Sequence, residues 1–402
     1  GNDADGDFVC EYDGDCDDAR DDVYPEAFEF CDGTDNDCDD DLSLAAACAD
    51  ECGDSVVDTS VPDNSAPACP NPAVYTSLNT LAKLTAWMTN PTTSAYISGN
   101  INAGNVDLLL NTNCDVKMVT GKTLSGVEDL VVVARNVTIS GNIVATGDVL
   151  MRASVKSYVA STSTVQAATF TTEAPTVDLR GDNAAGAALC AEAGTLLNAK
   201  ETLWNLGGQT AMFNAATSAN VYGDFSNGTA FTVTSGGTIY HRSDSLLSNV
   251  GAVVFDAVGA VDMAGDIDAA TSVDVVGASA IARNTALWSS AGDIRVESTG
   301  TASLGLYGVI TTSGWLDAVA ANGLLFYTGA TISSSDGVYF DVGGRFDGRG
   351  RITGNDWVYI DSGSWQLRST HDFSGNSECY IAGSKVGSVS PVGCSVGSPA
   401  AE

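Results

Sequence analysis

Apolar and polar residues alternate in short segments from about residue 92 to residue 388. The segments are rich in Val, Ile, Ala, Thr and Ser, and Gly, Asn and Asp separate them. Alternation with a period of two predicts β-strands that bury one face, and Gly, Asn and Asp are typical of the turns between strands. The pattern therefore predicts an all-β region built from many short strands.

The same region also repeats itself. Ile97-Ser-Gly-Asn-Ile recurs as Ile139-Ser-Gly-Asn-Ile and again as Met263-Ala-Gly-Asp-Ile, and Met118-Val-Thr-Gly-Lys lies halfway between the first two. A unit near 21 residues is typical of one coil of a parallel β-helix, or β-solenoid, in which stacked coils bury a continuous core. About 13 coils fit between Ile97 and Gln366. A β-sandwich is the alternative, but its strands recur every 8–12 residues or so without this longer period.

The alternation indicates which residues face the core of each coil. Small residues and Gly at the corners would allow the chain to bend sharply. One stretch, residues 184–204, is rich in Ala and Leu and predicts a helical insertion or a long loop. The predicted inward rows are Val131/Val133, Val149/Met151, Val273/Val275 and Val338/Phe340.

A short helix is predicted before the solenoid. In residues 75–88 the spacing of Leu78, Leu81, Leu84 and Met88 places them on one helical face, and Pro91 ends the pattern. We expect this helix to cover the open end of the solenoid core. The predicted domains are an acidic module at 1–42, a disulfide-stapled linker with the capping helix at 43–90, the solenoid at 91–388, and a C-terminal tail at 389–402.

Charge and cysteine content limit the binding partners and the cellular location that the sequence predicts. The formal net charge is −34, from 17 Lys and Arg against 51 Asp and Glu, so nucleic acid is an unfavourable partner and cations are favourable ones. No run of about 18 apolar residues predicts a membrane span. Eleven cysteines, with only two histidines, indicate disulfides and a secreted, extracellular or cell-surface protein. Cys379 and Cys394 are predicted to pair, whereas Cys114 and Cys190 are either buried thiols or one long-range bridge.

The first 41 residues hold 18 of the 51 acidic side chains and one basic residue, Arg20. Aspartates stand at every second position near Gly in residues 3–7, 13–18 and 31–41. Ca²⁺ takes six to eight oxygen ligands, and alternating carboxylates in a tight turn can converge on one ion. An acidic, disordered tail is the alternative, but interleaved cysteines and aromatic residues favour an ordered calcium-binding module. By the same spacing, the run Asp35, Asp37, Asp39 and Asp41 could hold a second ion.

The stretch DADGDF…DCDD…VYPEAFEFCDGTDNDCDDD resembles the aspartate- and cysteine-rich metal-binding motif repeated in large surface proteins of myxobacteria. It is also similar to the calcium-binding type 3 repeats of thrombospondin. Glu26 and Asp40 stand where the motif usually has Gly. Copper is the competing ion, but this segment has no His, Met or Trp, which favours calcium. The ligands that the resemblance implies are Asp3, Asp5, Asp7, Asp13, Asp15, Asp17, Asp18, Asp32, Asp35, Asp37 and Asp39.

Enzymes occur among β-helices, so catalytic groups need consideration. Basic and acidic residues concentrate at Asp341, Asp347, Arg349 and Arg351, and His371-Asp372 follows. The ordinary interpretation of both is surface ion pairs and turn residues. The paired-Asp and Gly-His-Gly signatures of pectin hydrolases are absent, as are nucleophile-elbow and phosphate-loop motifs. We therefore expect no catalytic site and no enzymatic activity.

The solenoid resembles filamentous-haemagglutinin-like adhesins in its many short coils, few charges and abundant Ser, Thr and Gly. Two functions outside enzymology follow. The first is a calcium-stabilised subunit of an extracellular fibre or surface layer that associates head to tail. The second is an adhesin or ligand-binding stalk, with an extracellular glycan as a possible ligand. A polysaccharide-degrading enzyme ranks third.

Overall fold

A computed structural model describes residues 69–183, 186–200, 203–283, 286–354, 357–373, 378–387 and 394–396. The predicted acidic module at 1–42 and most of the linker lie outside the described residues. In the described part of the chain no helix has both the length and the apolarity needed to cross a membrane.

The described elements are one helix and 32 strands. The helix α1 is Leu81–Met88. The strands are β1 (Asn71–Leu78), β2 (Thr93–Ile97), β3 (Ile101–Asn111), β4 (Asp115–Met118), β5 (Thr123–Ile139), β6 (Asn142–Ala145), β7 (Val149–Val159), β8 (Thr164–Gln166), β9 (Thr169–Leu179), β10 (Asp182–Asn183), β11 (Ala188–Ala199), β12 (Leu203–Asn205), β13 (Thr210–Ala215), β14 (Ser218–Val221), β15 (Asp224–Ser226), β16 (Ala230–Ser235), β17 (Thr238–His241), β18 (Leu246–Met263), β19 (Asp266–Ala282), β20 (Leu287–Ser290), β21 (Ile294–Ser298), β22 (Leu304–Leu306), β23 (Val309–Thr312), β24 (Trp315–Ala320), β25 (Gly323–Phe326), β26 (Thr331–Ser334), β27 (Gly337–Gly348), β28 (Arg351–Gly354), β29 (Trp357–Leu367), β30 (Glu378–Ile381), β31 (Ser384–Lys385) and β32 (Ser395–Val396).

The strands form a parallel β-solenoid of about 14 turns, which confirms the predicted fold. Most strands pair in parallel with a strand one coil later, and one register position can be followed from β1 to β29. We call these residues the core column. They are Leu78, Ile97, Met118, Ile139, Val159, Leu179, Ala199, Val221, His241, Met263, Ala282, Leu306, Phe326, Gly348 and Leu367.

The sequence repeat marks a corner of every second coil in the first two thirds of the solenoid. An apolar residue of the core column is followed by any residue, Gly and then Asn or Asp, at 97–100, 139–142, 179–182, 221–224 and 263–266. In each case the Asn or Asp Oδ1 accepts a hydrogen bond from a backbone N–H one coil later, at 2.9–3.1 Å. A Cβ at Gly99 would lie 2.4 Å from the Asn79 carbonyl oxygen, so this close approach of coils requires glycine.

Three of the four predicted inward rows are confirmed. The confirmed rows are Val149/Met151, Val273/Val275 and Val338/Phe340, all buried. The fourth is wrong, because Leu130, Val132 and Ala134 are buried and Val131 and Val133 lie on the other face. Residues 131–133 are three consecutive valines, so the alternation there does not define which face is inward.

The prediction of a helix or loop at 184–204 is wrong. Residues Ala188–Ala199 form β11, which pairs in parallel with β9 and β13. Ala and Leu prefer helix locally, but here the strand is paired with a coil on each side. The small and branched apolar side chains of such a strand are buried in the core, and this burial outweighs the local preference. Leu189, Ala191 and Leu197 are buried in the core at this point.

The predicted helix is confirmed, but it is shorter than predicted and follows the first strand of the stack, β1, instead of preceding the solenoid. Leu78 ends strand β1 instead of lying on the helix. Thr80 is the N-cap residue, and its side chain accepts a hydrogen bond from the backbone N–H of Lys83, so the helix begins at Leu81. Leu84 and Trp87 are buried against the solenoid core, and the Trp87 indole N–H donates to the Thr93 carbonyl oxygen at 3.0 Å.

Two disulfides are described. Cys379 pairs with Cys394, as predicted. Cys69 pairs with Cys114, with their Cα atoms 5.2 Å apart, and Cys190 is itself disulfide-bonded. The alternatives of free thiols or a Cys114–Cys190 bridge are therefore wrong. The linker before β1 is thus tied covalently to the residue that precedes β4.

Candidate functional site

The predicted metal ligands cannot be placed, because all twelve lie outside the described residues. They are Asp3, Asp5, Asp7, Asp13, Asp15, Asp17, Asp18, Asp32, Asp35, Asp37, Asp39 and Asp41. Within the residues that the structure does describe, no group of three or more His, Cys, Asp or Glu could hold a metal ion.

A basic and aromatic column lies at one corner of the solenoid. It is formed by the residues that directly follow the core column, and we call it the corner column. It holds six of the 17 Lys and Arg of the chain, interleaved with tyrosines. Its charged and aromatic members are Arg180, Lys200, Tyr222, Arg242, Arg283, Tyr307, Tyr327, Arg349 and Arg368.

The cations of the corner column contact neighbouring tyrosine rings or carboxylates. Lys200 Nζ and the Arg242 guanidinium lie 5.0 and 5.2 Å from the centre of the Tyr222 ring, one on each side along the column. Arg180 Nε lies 3.0 Å from Asp178 Oδ1, and Arg283 Nη2 lies 2.6 Å from Asp262 Oδ2. Asp178 and Arg180 flank the core residue Leu179 within a single coil, whereas Asp262 and Arg283 lie one coil apart.

Asp347 is the most heavily paired carboxylate of this corner. Its side chain is only 6% exposed, and its Oδ2 lies 3.0 Å from Arg349 Nη2, 3.2 Å from Arg368 Nη2 and 3.8 Å from Arg345 Nη2. Burial raises the pKa of Asp347, but the hydrogen bonds from Arg349 and Arg368 outweigh it and the pKa lies below the usual value. This carboxylate is held ionised by three arginines.

The acid–base candidates taken from the sequence do not form one cluster. Asp341 lies on the outer face of a sheet, whereas Asp347 and Arg349 lie at the corner column. Arg351 pairs with Asp372 at 3.4 Å, and His371 Nδ1 lies 2.5 Å from the Arg368 carbonyl oxygen. These contacts are the ion pairs and turn interactions that the ordinary interpretation predicted.

A second charged region covers the outer face of β18, β19, β21, β24, β27 and β29. Because the coils are in register, residues one coil apart form columns on this face. We call its eleven charged and aromatic residues the acidic–aromatic face. They are Asp256, Asp274, Arg295, Glu297, Trp315, Asp317, Tyr339, Asp341, Trp357, Tyr359 and Asp361.

The aromatic rings of this face are packed against each other. The centres of the Trp315 and Trp357 rings lie 5.8 Å apart across Gly337, and the Tyr339 and Tyr359 rings are stacked at 5.5 Å with 11° between their planes. A groove of about 520 Å³ lies beside them. Its lining includes Arg295, Trp315, Asp317, Tyr339 and Trp357.

The carboxylates of this face are poorly compensated. Six Asp and Glu face a single cation, Arg295, which pairs with Glu297 and lies 3.6 Å from Asp274 Oδ1. Burial raises the pKa of both Asp274 and Asp317, and the attraction of Arg295 offsets only part of this. The Oδ1 atom of Asp317 is buried and accepts no hydrogen bond within the described part of the chain.

His241 occupies the core column and was not singled out by the sequence analysis. It is fully buried between Val221 and Met263, and its Nε2 lies 3.0 Å from Ser245 Oγ. Burial lowers the pKa of His241 to about 3, so the ring is neutral at neutral pH. His241 lies one coil before Met263, the first residue of a copy of the repeat, and this spacing in the sequence could have placed it in the core.

Comparison with known proteins gives one match. Residues 15–42 match the family of metal-binding motifs named for copper binding in MopE. No curated protein and no solved structure is significantly similar to the chain. The match covers much of the acidic segment that the sequence analysis assigned to metal, so the chain carries a metal-binding motif followed by a β-solenoid.

Proposed function

We propose that the protein is a secreted, non-enzymatic structural subunit of an extracellular fibre or surface layer. In this proposal the acidic module binds calcium, and β-solenoid shafts associate head to tail. The observation that carries the proposal is the uninterrupted parallel stack, whose core runs from Leu78 to Leu367 through every coil. A stack of this kind serves as a rigid spacer.

Self-association is supported by the two ends of the stack. Among the described strands, β1 pairs only with β2 and β32 pairs only with β30. Such edges carry backbone donors and acceptors that can pair with another chain. Val74, on β1, and Val396, on β32, are exposed apolar residues at these opposite ends. A head-to-tail contact would cover both edges.

Calcium is supported by the chemistry of the acidic segment. The motif family is named for copper, but residues 1–42 contain many carboxylates and no His or Met. Carboxylate oxygens suit Ca²⁺, whereas copper prefers imidazole, thioether and free thiolate ligands, and in this proposal the four cysteines of this segment form disulfides. Extracellular modules bind Ca²⁺ with dissociation constants of about 10⁻⁴–10⁻³ M, which suits a permanent structural clip.

The ion and its role can be tested on the whole chain. Calorimetric titration should show binding of Ca²⁺ and weaker binding of Cu²⁺, and the triple variant D35A/D37A/D39A should lose part of the Ca²⁺ binding. Adding EGTA should make the N-terminal segment sensitive to protease and should disperse assemblies seen by negative-stain electron microscopy. Unchanged protease resistance and assembly without calcium would contradict the structural role.

The absence of catalysis is a separate part of the proposal. Arg349 and Arg351 make ion pairs in the described structure, so R349A and R351A should leave any activity unchanged. Incubation of the whole chain with plant and bacterial polysaccharides should release no reducing ends and no unsaturated products. Release of either product, abolished by D317N, would replace the structural proposal with a polysaccharide-degrading one.

A further inference from the structure

Trp315 places a large apolar ring on the surface, where it remains partly in contact with water. It is 42% exposed, whereas Trp87, Trp204, Trp288 and Trp365 are buried in the core. A Cβ at Gly337 would lie 2.5 Å from the Trp315 ring, so only glycine lets the indole lie against the next coil. An exposed indole held in place beside a second one is a feature of ligand-binding surfaces.

Asp317 supplies an independent observation in the same groove. Its Oδ1 is buried and has no hydrogen-bond partner in the described residues, although buried polar atoms are almost always paired. Arg295 does not satisfy this oxygen. Because Oδ1 is itself inaccessible, a ligand that donates hydrogen bonds would compensate this carboxylate through Oδ2, its other oxygen.

Charge limits the nature of that ligand. The face holds six carboxylates against one guanidinium, and the chain carries a net charge of −34. Nucleic acids and sulfated or uronic glycans would be repelled, as would the same face of a second copy. A ligand with apolar faces for stacking and many neutral hydroxyl donors meets every requirement.

We infer that the acidic–aromatic face binds a neutral glycan, an extended chain of pyranose rings lying in the groove that Trp315, Tyr339 and Trp357 line. The apolar faces of the sugar rings pack on the indoles and on Tyr339. A sugar hydroxyl donates a hydrogen bond to Asp317 Oδ2. The chain runs along the stack, since an extended glycan advances by close to one coil spacing per ring. This inference does not depend on the calcium-dependent assembly proposed above.

The test uses the whole chain and four defined probes: cellohexaose, xylohexaose, mannohexaose and chitohexaose. At least one should bind in calorimetry and should shift and protect the fluorescence of the surface tryptophans against acrylamide, since the four buried indoles are not quenched. W315A and W357A should each weaken binding about tenfold or more. The matched control L287A, which truncates an exposed apolar residue of β20, should leave affinity unchanged.

Variants of Asp317 examine the hydrogen bond. D317A removes the acceptor and should weaken binding about fivefold to tenfold, whereas D317N keeps one carbonyl oxygen and should lose less. Binding should not change between 50 mM and 500 mM NaCl, roughly, because the ligand is neutral.

Four results would overturn the inference. No probe binds at millimolar concentration, or a probe binds equally well to the double variant W315A/W357A. Alternatively, a tetralysine peptide binds in a salt-sensitive way at this face, which would identify a cationic partner. Finally, W315A changes the sedimentation coefficient of the unliganded protein, which would identify a contact between copies.

Discussion

The corner column and the acidic–aromatic face contain the same types of charged and aromatic residue but differ in how their carboxylates are paired. Both are columns in which charged and aromatic side chains repeat once per coil. At the corner, Asp347 is held by three arginines and its pKa is lowered. On the face, Asp317 has an unpaired oxygen and its pKa is raised.

The difference separates stabilising charges from charges available to a ligand. In a stack, each side chain has a neighbour about 4.8 Å above and below, so unlike charges pair and like charges repel along the whole column. In the corner column, unlike charges pair at the bend of the coil. The face instead holds six carboxylates and one cation, Arg295, an arrangement that costs stability and that a ligand donating hydrogen bonds would relieve.

The largest expected effect is the loss of stability in acid that the buried His241 causes. This loss would mask the smaller pH effects of the two regions, so they are compared in a chain without His241. The unfolded chain binds a proton near pH 6.5, whereas the folded chain does so only near pH 3, so stability falls as the pH drops through this window. The loss should be about 3 kcal/mol between pH 7 and pH 4. H241M places an apolar side chain in the column and should abolish most of it, as measured by urea unfolding at both pH values. An equal loss in H241M and the parent chain would contradict this account.

The comparison itself is tested most directly by neutralising one carboxylate in each region at neutral pH. D347N leaves three half-exposed arginines without their counter-ion and should destabilise the chain by about 2 kcal/mol. The matched variant D361N removes one exposed charge from the acidic–aromatic face and should be neutral or slightly stabilising. Equal destabilisation by both variants in urea unfolding would mean that the two regions do not differ in charge pairing.

The fold was predictable from the sequence because two signals agreed. Alternation indicated strands, and the Gly-Asn and Gly-Asp corners after Ile97, Ile139 and Met263 fixed a coil near 21 residues. The corner signal has a physical cause in the structure, since the corner side chain accepts a hydrogen bond from the next coil and the glycine avoids a clash. Where alternation was absent, as at residues 131–133, the inward phase was wrong.

The composition of the columns was not predictable in the same way. Successive members of the core column are 19 to 24 residues apart, because bulges such as the one between Ala257 and Ala260 shift the register. An error of one residue moves a side chain to the opposite face. The placement of Arg368 one coil after Arg349, and of Trp357 one coil after Gly337, therefore depends on irregularities that a mean period does not contain.

The smallest expected effect distinguishes the two regions by its sign. Because burial raises the pKa of Asp317, its ionised form destabilises the fold above that pKa, and the penalty disappears as the pH falls toward 3.8, where the unfolded carboxyl also takes up its proton. D317N should therefore stabilise the chain at pH 7 by less than about 1 kcal/mol after solvent screening, and should have no effect near pH 3.5 or so. Asp347 affects stability with the opposite sign. Its stabilisation is present above pH 3.8 and is lost as the pH falls through its lowered pKa.

Urea unfolding of D317N and of D347N, each in the H241M background, measures both differences without the histidine contribution. A D317N effect that grows on acidification would show that Asp317 is satisfied in the folded chain, and would remove the electrostatic contrast between corner and face.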